Sequence, residues 1–193
     1  MLDPTLLLNQ IEWNEMANYN PKEQKYVLVY QLHDNKKFVE YAKKFAKKVK
    51  LPLLRICPST QSIIRGGKPI ILPTPQEFIS YFKNAEYIVT DSFHGTVFSL
   101  IFNKKFVDIL PNETSTRIIS ILELTNLKSR ILKSYDDFSL IGKEINYNEV
   151  NKILQDERSK SIEKFKNGIF IELTPNLVGM AEYTEDLQYG QEQ

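Results

Sequence analysis

The sequence predicts an α/β protein built on a doubly wound parallel sheet. Two observations carry this expectation. Short apolar runs rich in β-branched and aromatic residues alternate along the chain with longer stretches whose apolar residues recur at helical spacing. Gly, Pro, Asn, Asp and Ser mark the places where one period gives way to the other. Strands that alternate with helices in this way lie parallel, with the helices on the faces of the sheet. The chain has 193 residues, of which 42% are hydrophobic and 11% aromatic, enough for one ordinary domain with a sizeable core.

The elements run in order along the chain. Residues 1–24 are polar and irregular after Leu8, with a short helix expected near residues 11–17, around the single Trp13. Tyr26-Val27-Leu28-Val29-Tyr30 reads as a buried strand. His33-Asp34-Asn35 then supplies a cap for a helix over residues 36–50. Phe38, Ala42, Phe45, Ala46 and Val49 form one stripe of that helix, and Lys43, Lys44, Lys47 and Lys48 fall on the other side as a solvated face. A second strand covers residues 53–57. Residues 58–75 are turn-rich, with Pro58-Ser59, Gly66-Gly67, Lys68-Pro69 and Pro73-Thr74-Pro75.

Pro75 suits the start of a helix that runs through Asn84. Tyr87-Ile88-Val89-Thr90 is a third strand, with a helix over residues 96–102 after it. Residues 106–110 make a fourth strand, and Ser115 or Thr116 caps a helix through Leu124. Ile131-Leu132 suggests a short edge strand. An amphipathic helix spans residues 148–167, with Val150, Ile153, Leu154, Ile162 and Phe165 inward. In the tail, residues 171–178 suggest one added strand, and residues 182–193, acidic and without periodicity, are expected to be loosely held. The domain organisation expected is an entry segment at 1–24, the α/β domain at 25–168 and a tail at 169–193.

Composition excludes several functions. A net charge of +1 gives no bulk attraction to nucleic acid or an anionic membrane, and no interleaving of basic and aromatic residues points to nucleic acid. The one cysteine, Cys57, cannot form an internal disulfide, so a reducing compartment and a buried thiol are expected. The start lacks the basic residues and apolar run of a signal peptide. No stretch reaches the roughly 18 apolar residues of a membrane span. The expectation is a cytoplasmic protein without a transmembrane segment. Two histidines sixty-one residues apart, with no close acidic cluster, suggest no metal site. Gly66-Gly67 lacks the pattern of a phosphate loop or dinucleotide fingerprint, so no cofactor is expected.

The stretch with most chemistry is YIVTDSFHGTVFSLIFN, residues 87–103. It reads as a buried strand, a tight turn carrying a histidine, and a buried helix. Ligands of open α/β sheets bind outside the carboxyl ends of the strands, and helix N-termini suit anions. A titratable imidazole there is a candidate for acid–base chemistry on a carboxylate or phosphate substrate.

This segment resembles the polysaccharide pyruvyl transferase family, whose C-terminal half has a strand–turn–helix ending in a His-Gly pair. Leu2-Asp3-Pro4-Thr5-Leu6-Leu7 resembles the entry to that half. Pro75-Gln76-Glu77-Phe78-Ile79 and Asn84-Ala85 resemble the helix before the motif. Asn103-Lys104 with Phe106, and Ser115-Thr116-Arg117-Ile118, resemble the family's segments after the motif. Residues 1–168 are covered. The resemblance implies a Rossmann-like domain similar to the C-terminal domain of a GT-B-like fold. It also implies transfer of a pyruvyl group from phosphoenolpyruvate to a sugar, free or in a lipid-linked oligosaccharide, giving a pyruvate ketal. Such enzymes close two domains on their substrates, so the chain alone is expected to be weakly active, with an N-terminal domain as a partner. Two other readings stay open: a nucleotide-sugar glycosyltransferase domain, and a non-catalytic binding module in polysaccharide synthesis.

Among single residues, His94 stands where the resemblance places a functional histidine. It is a candidate acid or donor ligand, against the alternative of a core histidine bonded to its own turn. Gly95 is expected to let a ligand approach the backbone. Ser92 and Thr96 are candidates for donating hydroxyls to an anion, or equally for capping the helix. Asp91 is a candidate to orient His94 or to cap. Many family members carry an arginine two residues before the histidine, where this chain has Ser92. Arg117 is the candidate replacement cation, because a guanidinium matches carboxylate and phosphate bidentately. The alternative for it is a surface ion pair. Glu77 is a candidate ligand for sugar hydroxyls, or a first-turn acid that suits the helix dipole. His33 and Asp34 come after the first strand and are expected at the rim.

Overall fold

The computed structural model describes residues 2–57, 60–111 and 115–185. Five short runs form strands: β1 (Val27–Tyr30), β2 (Leu53–Cys57), β3 (Lys68–Ile71), β4 (Tyr87–Thr90) and β5 (Lys105–Asp108). They pair as one sheet in the order β3-β2-β1-β4-β5, and every neighbouring pair is parallel. The chain winds outward from β1 to β3, then returns to the other flank of β1 with β4 and β5. The order therefore reverses between β1 and β4, the place where such sheets bind ligands.

Side chains alternate between the two faces, and both faces are covered. On one face Leu28, Leu54, Ile56, Ile88 and Phe106 join a core completed by α3 (Pro75–Asn84), α4 (Phe93–Ile101), α5 (Thr116–Leu124) and the start of α6 (Tyr147–Glu185). On the other, Val27, Val29, Val89 and Val107 pack with Phe38, Tyr41, Ala42 and Phe45 of α2 (Lys36–Val49). Lys43, Lys44, Lys47 and Lys48 of α2 face solvent as expected, and Lys50 ends the helix with φ +56°. Cys57 is free and buried.

The entry segment is firmly packed. Asn9 and Glu12 form a reciprocal capping box on α1 (Gln10–Met16). Trp13 packs edge-to-face on Phe98 with ring centroids 5.1 Å apart. Leu6 is buried, and Arg158 of α6 donates to its carbonyl at 2.8 Å. After β5, buried Arg130 donates to Phe106 O through Nε (2.8 Å) and Nη2 (2.5 Å). The expected edge strand at Ile131-Leu132 is a single parallel bridge from Ile131 to Asp108.

Four expectations are corrected. The turn-rich stretch contains a 3-10 helix (Thr60–Arg65) and the edge strand β3. An edge strand tolerates Pro69, which has no N–H to offer. Helix α4 starts at Phe93, three residues earlier than expected. Phe165 is exposed, because the inward stripe of α6 holds through Leu154 and Ser161 and then loses its partner surface. Residues 171–178 continue α6 and form no strand. Adding residues to a formed helix is easy once it is nucleated. The last part of the tail, residues 186–193, lies outside the described residues.

Candidate functional site

The carboxyl ends of β1 and β4 meet in register, Tyr30 opposite Thr90. Thr90 Oγ1 donates to Tyr30 O at 2.7 Å and accepts from Ser92 N at 3.0 Å. One threonine thus ties the two strand ends together and starts the turn. Ser92 has an extended backbone and its Oγ accepts from Gly95 N at 3.5 Å, which makes it the N-cap of α4. Thr96 Oγ1 lies 3.1 Å from Ser92 O and 2.8 Å from Asp108 Oδ1. A hydroxyl has one hydrogen and cannot donate to both. Burial pushes the Asp108 carboxyl up to about 8, so near neutrality it is protonated and can donate to Thr96, which then donates to Ser92.

Gly95 is buried against β4. A Cβ there would lie 2.8 Å from Thr90 Cβ and run into the Thr90 hydroxyl. The glycine serves close approach of helix to strand, where the sequence suggested approach to a ligand. Ser92, Gly95 and Thr96 are all buried, and their polar groups are used within the turn.

His94 differs from them. It is the second residue of α4, in the helix and not in a turn before it, and it is exposed. Its neighbour Phe93 carries the guanidinium of Arg117 over its ring at 3.9 Å, a favourable cation–π contact. Arg117 Nη2 donates to Asp3 Oδ2 at 2.5 Å. Asp3 also caps the 3-10 turn Pro4–Leu6 by accepting from Thr5 N at 3.0 Å. Burial works against its ionisation. The bonds from Thr5 and the charges of Arg117 and His94 outweigh burial and hold the carboxyl below its ordinary value. Leu2, Asp3, Leu6, Phe93, Arg117 and Ile121 line a cavity of about 380 Å³, and His94 is not among its lining residues. His94 and Arg117 are linked through Phe93, the chain neighbour of His94, and through Asp3, whose carboxyl feels both charges. The structure thus adds Asp3 and Phe93, which sequence reasoning missed as site residues although Asp3-Pro4 is a recognisable helix-start signal.

Asp91 does not orient His94. Its buried carboxylate accepts from Leu32 N (2.7 Å) and His33 N (3.0 Å) and lies 3.3 Å from His33 Nδ1. The β1–α2 loop is held from its other side by Gln31. Its amide donates to His33 O at 2.8 Å, and its Oε1 accepts from buried Arg55 at 2.8 Å. Arg65 Nη2 lies 3.8 Å from Asp34 on the same rim. Glu77 sits apart, at the start of the helix after β3. There it accepts from Thr74 N (2.8 Å) and Thr74 Oγ1 (3.0 Å) in a capping box. Among the described residues no group of three or more His, Cys, Asp or Glu could hold a metal ion. Among them, too, no helix is long and apolar enough to cross a membrane.

Two histidines and an arginine stand at the carboxyl edge of an open parallel α/β sheet, beside the reversal of strand order where sheets of this class bind ligands. The family model for polysaccharide pyruvyl transferases matches residues 1–114, and the chain belongs to that family. His94 and the whole sheet lie inside the match, and Arg117 lies just beyond it. No curated protein matches the chain. Among solved structures it is similar to the Methanocaldococcus jannaschii UDP-GlcNAc 2-epimerase in complex with UDP-GlcNAc and UDP. The identity is 18% and the TM-score 0.43, over 78% of this chain and 53% of that one. The chain therefore spans about half the length of that enzyme.

Proposed function

We propose that this domain binds phosphoenolpyruvate between the Arg117 cavity and the exposed His94 for transfer of its pyruvyl group to a sugar of a cell-surface or exopolysaccharide. The acceptor is a sugar or lipid-linked oligosaccharide, and the reaction belongs in the cytoplasm. The observation that carries the reading is the exposed His94 on the first turn of α4, beside an arginine steadied on Phe93. Arg117 is half exposed even in its pair with Asp3, so guanidinium N–H groups remain for a carboxylate or phosphate.

The chemistry assigns the groups. One sugar hydroxyl oxygen bonds to C2 of the enol while C3 gains a proton and becomes a methyl group. The C2–O bond to phosphate then breaks, the second hydroxyl oxygen bonds to C2, and its proton leaves. Of the two hydroxyl protons, one is balanced by the proton on C3 and one by the proton on the released phosphate. His94 is the acid for C3 or, as imidazolium, neutralises the donor's charge. The chain by itself offers one wall of such a cleft, so it binds the donor and turns it over slowly.

The test is an NMR titration of the His94 ring with phosphoenolpyruvate. A saturable shift is expected, absent with pyruvate or inorganic phosphate alone and lost in Arg117→Ala. No shift, or displacement of phosphoenolpyruvate by a uridine nucleotide, overturns the reading.

A further inference from the structure

The chain has only two histidines, and the fold brings both to the carboxyl ends of neighbouring strands: His33 after β1 and His94 after β4. We propose that His33, fixed by Asp91, is the acceptor-side group of this site, where its free ring nitrogen receives the hydroxyl of the attacking sugar and takes its proton.

The assignment rests on the pyruvyl-transfer reading and begins from a need within it. As the hydroxyl oxygen bonds to C2, its proton must go to a base while another group delivers a proton to C3. One imidazole cannot be neutral for the first task and charged for the second in the same step. In the donor pocket Arg117 is permanently charged, and Asp3 is tied to Arg117 and to Thr5. His94 stands on the donor side. The remaining imidazole at this edge is His33.

Its surroundings suit a base. Asp91 is 3% exposed, while the His33 side chain is 45% exposed. A carboxylate only accepts hydrogen bonds, so Nδ1 of His33 carries the hydrogen and Nε2 keeps its lone pair. A buried carboxylate behind one ring nitrogen fixes the tautomer and steadies the imidazolium that forms when the other nitrogen takes a proton. The backbone is fixed as firmly as the ring. Asp91 accepts the N–H groups of Leu32 and His33, and Gln31 donates to the carbonyls of His33 and Asn35. Helix α2 needs only Asn35 as its cap, so these four bonds on the loop around His33 are not required to start the helix. On the same rim the charges of Asp34 and Arg65 face each other at 3.8 Å.

The step balances: the sugar O–H bond breaks, its oxygen bonds to C2, Nε2 takes the proton, and C3 receives one from the donor side. When the second hydroxyl adds, its proton restores the donor-side acid, and the proton held by His33 passes to the released phosphate.

The experiment uses the chain labelled with 15N at its two histidines, in long-range 1H–15N spectra near neutral pH. Assignments come from His94→Ala and His33→Gln. His33 is expected as the Nδ1–H form. With phosphoenolpyruvate present, a methyl pyranoside of galactose, glucose or mannose should move its Nε2 resonance saturably. Phosphoenolpyruvate alone should move His94 and leave His33 in place. Asp91→Asn, which retains the shape of the carboxyl group, should abolish the Nδ1–H preference and weaken the sugar response at least about tenfold. The tautomer is read in the unmodified protein, so a folding defect in that variant leaves the first arm intact. An Nε2–H form overturns the assignment. So does a His33 resonance that ignores all three sugars while His94 responds to the donor. A sugar response at His33 with His94 silent to phosphoenolpyruvate upholds the acceptor site and overturns the donor pocket instead.

Discussion

The turn after β4 and the loop after β1 stand side by side at one sheet edge, yet they are held in opposite ways. After β4, the polar side chains turn inward. Thr90 binds the neighbouring strand end, Ser92 caps its own helix, and Thr96 reaches the buried Asp108. Only Phe93 and His94 reach outward from this run. After β1, much of the holding is done from outside, by Asp91 of the neighbouring turn and, through Gln31, by Arg55 of β2. That loop leaves Leu32, His33 and Asp34 exposed. A distinctive run of sequence can therefore be mostly the recipe for its own turn. A plainer loop presents its residues because distant ones fix it.

The sharpest way to break this comparison is to charge the floor of the inward-held turn. The Asp108 carboxyl sits at an ordinary value near 3.8 in the unfolded chain and at about 8 in the fold, because burial disfavours its charged form. Its stability contribution is fully present below pH about 4 and is lost as the pH rises through about 8. Asp108→Asn has no charge to hide, and its amide can donate to Thr96. The two proteins should unfold at similar urea concentrations at pH 4.5. At pH 8.5 the variant should be the more stable by on the order of 4 kcal/mol. Parallel stability curves across that range would mean that Asp108 is ionised in the fold and that the Thr96–Ser92 arrangement has another basis.

A smaller effect tests the glycine. In an ordinary helix Gly→Ala stabilises by ~1 kcal/mol. At Gly95 the new methyl group meets Thr90 at overlapping distance, and overpacking of this kind costs ~1–3 kcal/mol. The steric term wins because Thr90 is itself fixed by its bond to Tyr30 O. Gly95→Ala should therefore lower stability by about 2 kcal/mol in urea unfolding. Removing the obstacle should return part of it, so the double variant with Thr90→Ala should be less damaged than the sum of the single ones by about 1 kcal/mol. Additive losses would show that the close approach of α4 to β4 is not what requires glycine.

These two cases also show what can be read from sequence. β1, β2, β4, α2 and α3 were legible because each is a clean run of one period with turn residues at both ends. β3 was hidden because Gly66-Gly67 and Pro69 read locally as turns, and only pairing with β2 makes the segment a strand. The tail carries β-forming residues, but the helix before it continues through them. At the site, the position of His94 was legible and its partners were not. Asp91 lies three residues from His94 in sequence, yet at a strand end its carboxylate crosses to the neighbouring loop. Which carboxylate faces which histidine is a property of sheet order, which no local spacing records. Arg117 was legible as a cation, but its platform Phe93 and its counter-ion Asp3 come from two other segments.

Glu77 extends the comparison to a third crossing and should give the smallest effect. It opens α3 after the edge strand, and both its contacts are with Thr74 of its own capping box. It therefore belongs with the inward-held kind: a residue that the resemblance marks and that the local fold already employs. Glu77→Gln keeps a side-chain oxygen for Thr74 N and loses only the charge that favours a helix N-terminus, worth ~0.3–1 kcal/mol. Urea unfolding should register a loss below about 1 kcal/mol, weaker still in high salt. The ring resonances of both histidines should respond to phosphoenolpyruvate and to the methyl pyranosides as before. A sugar response that disappears while stability holds would move Glu77 to the acceptor side, and the crevice between β1 and β4 would then have to be widened to include the start of α3.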